Sequence, residues 1–533
     1  MTTRAPLWAG SALGIVALLV ACSGGSSGGG GGFTTAPASS GTVTSGTGSG
    51  ASNVATVESV RLPAGALFAA DVPLAFAVAH PAADPTDVEV TWTKDNGATW
   101  SVATPASGST ALAALPTAPA PGLEYVFVWD SAADVPGFEP AVRLRVAIPG
   151  GSSLETALVA IDNQPLSTAV QLNRWPYLQM PVAGEAVVAW RTQTDTDSLI
   201  EWGPTPALGQ TAGDPQARTE EHWVTLPGLQ PATRYYYRVV SGGQPVTARE
   251  SFTTPPGPNV AAMRFLVVGD SGVGTQDQYA VANQMAREQA DFFLHTGDIV
   301  YPAGGFPAAI SEYNTRFFDP YRPMLGRLFA FPVVGNHDLY GLFGQPYKQT
   351  FAMPSNGGGL LAIFDELYFS FEWGDAKFIA LETNSLWKLF PNGPHVTWLQ
   401  NELQNNRRKW LIVYFHTPLY SCGQHGDDGT LISRLEPLFE QHRVDLVLAG
   451  HDHNYERTIP IKQFNSAANY PGLVHVVTGG GGASLRPVNP NARTAVAASA
   501  HHYMRVSIQG DWLTGEAVDP SGQVIDSFQV RDQ

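Results

Sequence analysis

The sequence has few cysteines and few basic residues for its length, and each shortage excludes a class of protein. Two of its 533 residues are cysteines, so the fold can contain one internal disulfide at most and must be stabilised by packing or by metal ions. Lysine and arginine together number 30 against 46 aspartates and glutamates, a formal net charge of -16. A chain this acidic is a poor match for the phosphate backbone of nucleic acids, and we expect no nucleic-acid partner.

The apolar run near the N-terminus, residues 7–21, is shorter than the roughly 20 residues that a membrane-spanning helix needs. It follows Arg4 and ends in the sequence LVAC, which resembles the lipobox of bacterial lipoproteins. We therefore predict a lipoprotein signal peptide over residues 1–22, whose removal would leave Cys22 as the lipidated N-terminus. An ordinary secretory signal with a chance cysteine is the alternative.

Residues 23–56 consist almost entirely of glycine, serine, threonine and alanine. Such a segment offers too little apolar surface to offset the entropy cost of ordering, so we predict a flexible tether. Together with a lipid on Cys22, it would hold the folded part of the protein at a membrane surface, in the periplasm or outside the cell.

The next two regions have the alternation of apolar and polar residues that is typical of half-buried β-strands. We predict a β-sandwich over residues 57–150, with a hairpin turn at residues 94–97 (KDNG), and a second β module over residues 168–256. In the second module, residues 229–235 (LQPATRY) resemble the tyrosine corner of fibronectin type III domains. Residues 175–179 (WPYLQ) resemble the first strand of the N-terminal domain of purple acid phosphatases. Both modules are interpreted as spacers or binding platforms.

Beyond residue 260, continuous apolar runs alternate with helical stretches, which predicts an α/β domain of β-sheets flanked by helices over residues 262–533. Five of the apolar runs end in polar clusters. The clusters are residues 269–272 (GDSG), 297–301 (GDIVY), 335–338 (GNHD), 413–416 (VYFH) and 450–453 (GHDH). Because the carboxyl ends of the strands in an open α/β sheet form one crevice, we expect the five clusters to converge.

The converging side chains include two aspartates, an asparagine, a tyrosine and several histidines, but no cysteine. Oxygen and nitrogen ligands of this kind suit cations such as iron, manganese or zinc. The set is larger than one metal ion requires. Two cations that share a carboxylate are a standard device for in-line displacement at phosphorus, because they hold both the attacking and the leaving oxygen.

In their order, the five clusters resemble the motif set of calcineurin-like metallophosphoesterases, and the Asp-x-x-Tyr within residues 297–301 resembles purple acid phosphatases in particular. The resemblance implies two metal ions, Fe(III) and a divalent zinc, manganese or iron ion. It also implies which residues are their ligands. Asp270, Tyr301 and His453 would hold the first metal ion, Asn336, His416 and His451 would hold the second, and Asp298 would bridge them.

The same resemblance implies catalytic roles for three residues. Asp298 would take part as the bridging ligand, and His337 would face the phosphoryl group, stabilising charge or protonating the leaving oxygen. His425 resembles one histidine of a substrate-facing pair in the plant enzymes, although its expected neighbour is Gly426 here. The implied reaction is in-line attack on phosphorus by a hydroxide that the two cations activate.

The function we expect is that of an acid phosphatase, a metal-dependent enzyme that releases phosphate from phosphomonoesters outside the cytoplasm. A phosphodiesterase with the same metal site is the nearest alternative, since selectivity would depend on contacts in the loops. A third hypothesis is an inactive surface-binding protein, in which the two β modules bind the partner.

Overall fold

The computed structural model describes residues 54–63, 67–180, 182–302, 309–339, 344–357, 364–385 and 392–532. The predicted signal peptide, Cys22 and the predicted tether up to residue 53 lie outside the described residues. Within the described ranges, no helix is long and apolar enough to cross a membrane.

The first region is a sandwich of two β-sheets. Its elements are β1 (Thr56–Arg61), β2 (Leu67–Phe68), β3 (Asp71–Ala79), β4 (Glu89–Thr93), β5 (Ser101–Val102), β6 (Leu123–Asp130), the short helix α1 (Ser131–Asp134), β7 (Phe138–Ala147), β8 (Ser153–Glu155) and β9 (Val159–Asp162). Strands β1, β3 and β6 form one sheet and the other six form the second, in which the predicted turn at residues 94–97 joins β4 to β5. Phe76, Trp129 and Leu144 are buried in its hydrophobic core. The last strand ends at Asp162, beyond the predicted boundary at residue 150.

The second region is a β module that continues into the α/β domain. Its strands are β10 (Leu172–Gln179), β11 (Ala186–Gly203), β12 (Gln210–Leu226), β13 (Arg234–Ser241), β14 (Gln244–Pro245) and β15 (Glu250–Thr253). Strand β10 pairs in parallel with the strand Phe329–Pro332 of the third region, so that one 12-stranded sheet runs through both. The Tyr237 hydroxyl donates a hydrogen bond to the carbonyl of Gly326 at 2.9 Å, and the two regions share one hydrophobic core. The module is therefore continuous in sheet and core with the third region.

The third region contributes strands to two sheets. They are β16 (Ala262–Val268), β17 (Phe292–His295), β18 (Phe329–Pro332), β19 (Phe369–Trp373), β20 (Ala376–Leu381), β21 (Trp410–Phe415), β22 (Leu446–Ala449), β23 (Tyr455–Thr458), β24 (Val474–Thr478), β25 (Thr494–Ala498), β26 (Tyr503–Gln509), β27 (Trp512–Val518) and β28 (Val524–Arg531). Strands β16 to β18 lie parallel in the 12-stranded sheet, which β26 to β28 extend in antiparallel pairing. Strands β20, β21, β22 and β24 lie parallel in a seven-stranded sheet. Burial of these parallel strands on both faces explains the continuous apolar runs.

Aromatic rings pack the two sheets against each other. Phe331 of β18 stacks on Phe371 of β19 with ring centroids 3.8 Å apart. Phe265 of β16 meets Phe378 of β20 edge-on at 5.3 Å. Such pairs add specific geometry to the burial of apolar area. These contacts fix the position of one sheet relative to the other. The carboxyl ends of the parallel strands in the two sheets then lie close together.

Helices connect the strands of the third region. They are α2 (Gln276–Met285), α3 (Ile310–Tyr313), a π-helical turn (Asn314–Phe318), α4 (Asp319–Leu325), α5 (Asn336–Leu339), α6 (Gln345–Thr350), α7 (Pro394–Gln404) and α8 (Gly429–Gln441). A side-chain cap and a buried apolar face explain why the segment of α8 is helical. The Asp428 side chain caps it by accepting hydrogen bonds from the amides of Thr430 and Leu431. Leu431, Leu435 and Phe439 are buried along one face at four-residue spacing.

The prediction of β-rich modules followed by an α/β domain is confirmed. The five polar clusters lie at the strand ends of two different sheets. Clusters 269–272, 297–301 and 335–338 follow β16, β17 and β18 of the larger sheet, whereas 413–416 and 450–453 lie at the ends of β21 and β22 of the second. Apolar runs reveal buried strands but not their pairing partners, so the sequence could not distinguish one sheet from two.

His222 of β12 is a buried histidine whose two ring nitrogens both have hydrogen-bonding partners. Its Nδ1 lies 2.8 Å from the Ser198 hydroxyl and its Nε2 lies 2.9 Å from the Thr192 hydroxyl. The ring stacks on Trp190 at 4.6 Å. Burial lowers the pKa of His222 to about 4, against the opposing effect of the Asp197 carboxylate. The neutral ring is therefore part of the core of the module.

We predict that His222 makes the folded state less stable at acidic pH. Because its pKa is lower in the folded chain, the unfolded chain binds more protons between about pH 6.5 and pH 4, and stability falls as the pH decreases through that range. The loss would reach at most about 3 kcal/mol. His222→Phe and His222→Gln should both lose less stability than wild type between pH 7 and pH 4.5 in urea unfolding. Equal losses in all three proteins would contradict the prediction.

Candidate metal centre

The carboxyl ends of five strands from the two sheets meet at one buried point. Asp270 follows β16, Asp298 follows β17, and Asn336 opens α5 just after β18. His416 and His451 follow β21 and β22 of the second sheet. The side chains predicted as ligands therefore come from both sheets, and the site lies where the two sheets meet.

Three of the candidate ligands have an unusual backbone conformation. Asp270, Asp298 and His451 have φ values of 55°, 53° and 71°, in the left-handed region that residues other than glycine rarely adopt. Each directly follows a glycine at the end of its strand. Strain of this kind costs roughly 1–3 kcal/mol per residue and persists only where the surroundings enforce it, which is typical of functional sites.

Asp270, Tyr301 and His453 form one group of candidate ligands. The Tyr301 hydroxyl lies 3.1 Å from Asp270 Oδ1 and 3.1 Å from His453 Nε2. His453 Nε2 lies 3.6 Å from Asp270 Oδ1. The three donor atoms converge on one another, as the predicted ligands of one cation should.

Asn336, His416 and His451 form the second group. His416 Nε2 lies 3.1 Å from Asn336 Oδ1 and 3.2 Å from His451 Nδ1. Asp298 lies between the two groups, because its Oδ1 is 3.4 Å from His416 Nε2 while its carboxylate also interacts with the Tyr301 hydroxyl. The position of Asp298 fits the predicted bridging role.

The orientation of two histidines fits a metal ion. The Nδ1 atom of His416 lies 2.9 Å from the carbonyl oxygen of Thr296, and that of His453 lies 2.8 Å from the carbonyl oxygen of Ser484. A carbonyl only accepts hydrogen bonds, so in each ring the proton is on Nδ1. The Nε2 atom is then the one that faces the cluster, and backbone contacts of this kind commonly orient histidine ligands of metals.

The buried carboxylates of the site are also suited to binding metal cations. Ligand atoms of Asp270, Asp298 and His416 all lie within 4.8 Å of one another, and the three side chains are buried. Burial raises the pKa of Asp270, whereas the effect of burial on Asp298 is outweighed by His416, which lowers its pKa. For His416, burial is outweighed by the two carboxylates, which raise its pKa to about 9. Metal ions would replace these protons, and the mixed oxygen and nitrogen set suits iron, zinc or manganese.

Asp338 of the GNHD cluster connects two of the ligand-bearing turns. Its carboxylate accepts hydrogen bonds from the backbone amides of Ile299 and Val300, at 3.1 and 3.2 Å, and from that of Gly335 at 2.8 Å. These three hydrogen bonds join the two turns through one side chain. Asp338 thereby holds the turns after β17 and β18 at a fixed spacing.

His337 lies at the more exposed side of the cluster. Its Nε2 is 3.9 Å from Asp298 Oδ2, its ring lies 4.5 Å from that of Tyr301, and its side chain is 30% exposed. Burial of the rest of the side chain lowers the pKa of His337. His337 is thus close to the candidate ligands and accessible from outside, and its catalytic role stays a prediction.

His425 lies against the second group, with its ring stacked on that of His451 at 4.0 Å. Its Nε2 accepts a hydrogen bond from Arg486, which also donates to the carbonyl of His451 at 3.1 Å. Sequence analysis missed Arg486. Its one signal is a positive charge four residues after the glycines at 479–482, and an isolated arginine in a loop does not indicate a binding site.

Family models match the second and third regions of the chain. Residues 263–455 match the model described as calcineurin-like phosphoesterase, and residues 177–254 match the model of the purple acid phosphatase N-terminal domain. The first match contains all five polar clusters. The second ends just before strand β16, so the two matches follow the order of the observed elements.

Curated proteins and solved structures give a consistent result. Acid phosphatase type 7 of Homo sapiens is 29% identical over 400 residues, which cover 65% of this chain and 88% of that protein. Purple acid phosphatase 23 of Arabidopsis thaliana is 29% identical over 292 residues, which cover 49% of this chain and 62% of that protein. The structure of the purple acid phosphatase PPD1 from yellow lupin (Lupinus luteus) seeds superposes with a TM-score of 0.59 at 19% identity, covering 90% of this chain and 96% of that chain.

Together the matches support a metallophosphatase with a purple acid phosphatase-like, calcineurin-like catalytic domain. The lupin structure shows the same fold. The predicted enzyme class is thereby confirmed. The role of each candidate ligand rests on the geometry described above and stays a prediction.

We predict that metal binding depends on Gly335. A Cβ atom at this position would overlap the Asp298 carboxylate, so Gly335→Ala should displace that side chain and lose most of the bound metal, as measured by elemental analysis of the folded protein. Gly429→Ala is the matched control, because a Cβ there meets no atom within 4 Å. The control should keep the wild-type metal content. Equal metal contents in the two variants would contradict the position of Asp298 in the centre.

Proposed function

We propose that this protein hydrolyses phosphate monoesters outside the cytoplasm, as an acid phosphatase with two metal ions. The observation that carries the proposal is the convergence of two groups of donor side chains with Asp298 between them. The acid phosphatases among the relatives support the choice of reaction. A phosphodiesterase would use the same donors, so preference for the monoester is the finer part of the proposal.

Each group of ligands would hold one cation. We infer Fe(III) beside Tyr301, because a phenolate stabilises a trivalent cation, and a divalent zinc, manganese or iron ion beside Asn336. When bound, two such cations supply hydroxide at the working pH and neutralise negative charge on the phosphoryl oxygens. Coordination by Tyr301 requires loss of the phenol proton, whose pKa burial and the two nearby carboxylates raise well above 10.

Residues of the chain would bind and orient the ester. His337 is partly exposed and lies beside Asp298, so it can contact a phosphoryl oxygen or give a proton to the leaving oxygen. His425 would contact the substrate next to the second group, where it stacks on His451. Asp338 ties the turn that carries His337 to the turn that carries Asp298, which would orient His337 before substrate binds.

The second β module is proposed to be fibronectin type III-like. Leu229 is buried, and the Tyr235 hydroxyl accepts a hydrogen bond from the Gln230 amide at 3.0 Å, as in a tyrosine corner. Such a corner fixes the chain where it enters β13. The module would serve as a rigid extension of the catalytic sheet.

Asp298→Asn tests the reaction and the shared ligand together. An amide cannot supply the bridging charge, so we expect metal content to fall and phosphate release from p-nitrophenyl phosphate to drop by about 1,000-fold or more. Asp291→Asn is the matched control. Asp291 directly precedes β17, at the opposite end of the strand from Asp298, and accepts a hydrogen bond from the Arg264 amide that asparagine can also accept.

Wild-type activity in Asp298→Asn would contradict the two-metal interpretation. If the wild type hydrolyses bis(p-nitrophenyl) phosphate but not the monoester, the protein is a phosphodiesterase and the proposed monoesterase activity is wrong. Metal-loaded wild type that hydrolyses neither ester would favour the hypothesis of an inactive surface-binding protein. Activity in Asp291→Asn should match that of the wild type.

We also propose that the protein is a lipoprotein anchored through Cys22. The support is the sequence pattern of residues 1–22 and the tether that follows. In bacterial cells, Cys22→Ser should move the protein from the membrane fraction to the soluble fraction, because an unlipidated chain lacks the anchor. Retention of the variant in the membrane fraction, detected by immunoblot after carbonate washing, would contradict the anchor.

A further inference from the structure

The side chain of Arg486 lies beside the candidate metal centre and is not one of the predicted ligands. The main chain of the loop that carries it is bonded to two of those ligands. The Ala483 amide donates a hydrogen bond to the carbonyl of Asp270 at 2.9 Å, and the Arg486 amide donates to the carbonyl of His453 at 3.0 Å. Between them, the carbonyl of Ser484 accepts a hydrogen bond from His453 Nδ1 at 2.8 Å. The loop over residues 483–486 is thus fixed relative to the first ligand group.

The guanidinium group of Arg486 is anchored through one nitrogen. Nη1 donates to the carbonyl of His451 at 3.1 Å, contacts His425 Nε2 and lies 3.8 Å from Asp452 Oδ1. Within the described part of the chain, no hydrogen bond joins Nε or Nη2 to another residue, and the side chain is 25% exposed. Since an arginine carries five N–H groups, three of them remain available to a ligand.

The contact with His425 defines the role of that histidine. Arginine has no acceptor atom, so Arg486 is the donor and His425 Nε2 is the acceptor. The lone pair of Nε2 is thereby occupied, and this atom holds the guanidinium in place and does not give a proton to the leaving oxygen. His425 thus positions Arg486, in addition to its proposed contact with the substrate.

Arg486 contacts residues of both ligand groups. Its main-chain amide donates to the carbonyl of His453 in the first group, and its guanidinium donates to the carbonyl of His451 in the second. The positive charge of Arg486 therefore lies beside both groups.

We propose that Arg486 binds the phosphoryl group of the substrate through Nε and Nη2 and favours dianionic monoesters over monoanionic diesters. The proposal deepens the proposed function and rests on it for the identity of the substrate. A planar guanidinium matches two phosphate oxygens at once, and hydrogen bonds between charged groups are about twice as strong as neutral ones. A monoester dianion carries one more negative charge than a diester, so the cation stabilises the monoester more.

Binding of inorganic phosphate to the metal-loaded protein, measured by calorimetry, tests the proposal without any turnover. Arg486→Ala should weaken phosphate binding by about 10- to 100-fold, the equivalent of one or two charge-assisted hydrogen bonds. Arg486→Lys should recover part of the affinity, because lysine keeps the positive charge but lacks the planar group that contacts two phosphate oxygens at once. Arg493→Ala is the matched control, since Arg493 pairs with Asp427 and lies over the ring of Tyr420, neither of which is a candidate ligand.

Kinetics with a monoester and a diester give the second readout. Arg486→Ala should raise KM for p-nitrophenyl phosphate more than it lowers kcat, and should reduce kcat/KM more for the monoester than for bis(p-nitrophenyl) phosphate. Metal content should equal that of the wild type. Unchanged phosphate affinity, loss of metal, or an equal reduction for the two esters would each overturn the proposal. If the wild type hydrolyses neither ester but binds phosphate through Arg486, the anion site stands and the proposed function fails.

Discussion

The burial of two carboxylates beside each other is the constraint on which the rest of this site depends. Asp270 and Asp298 lie at the junction of two sheets, where unpaired charge is costly. Main-chain donors offset part of the cost, because the His451 amide donates to Asp270 at 2.8 Å and the His337 amide donates to Asp298 at 2.9 Å. Positive charge must offset the rest of this cost. Protonated His416 provides part of that charge, and metal ions would provide more. The strained backbone at Asp270 and Asp298 persists because these contacts hold it.

The architecture explains why such a site forms where it does. Three parallel strands of one sheet and two of the other end at the same place, and the aromatic pair Phe331 and Phe371 holds the sheets together just behind it. The second β module adds strands to the larger sheet and contacts its helices through Tyr237. The module thus extends the sheet whose strand ends carry four of the seven candidate ligands. The first sandwich has its own core and contributes no candidate ligand.

The candidate ligands could be predicted from the sequence because each lies within a few residues of the end of a buried strand. The apolar run and the glycine that follows it are local features, visible for Asp270 or His451 without knowledge of the fold. Arg486 could not be predicted, because its place depends on a loop that returns to the ligands through main-chain hydrogen bonds. The division of the clusters between two sheets was hidden for the same reason, since strand pairing is a long-range property. The second module joins the larger sheet through the pairing of Leu178 with Phe329 and through a shared hydrophobic core, and no local pattern reveals either.

The central claim is that one carboxylate, that of Asp298, is shared by two metal ions. Anomalous diffraction from crystals of the metal-loaded protein, recorded at the iron and zinc absorption edges, tests it most directly. The account predicts two peaks, one beside Asp270, Tyr301 and His453 and the other beside Asn336, His416 and His451, with Asp298 between them. A single peak, or two peaks of which only one contacts Asp298, would contradict it.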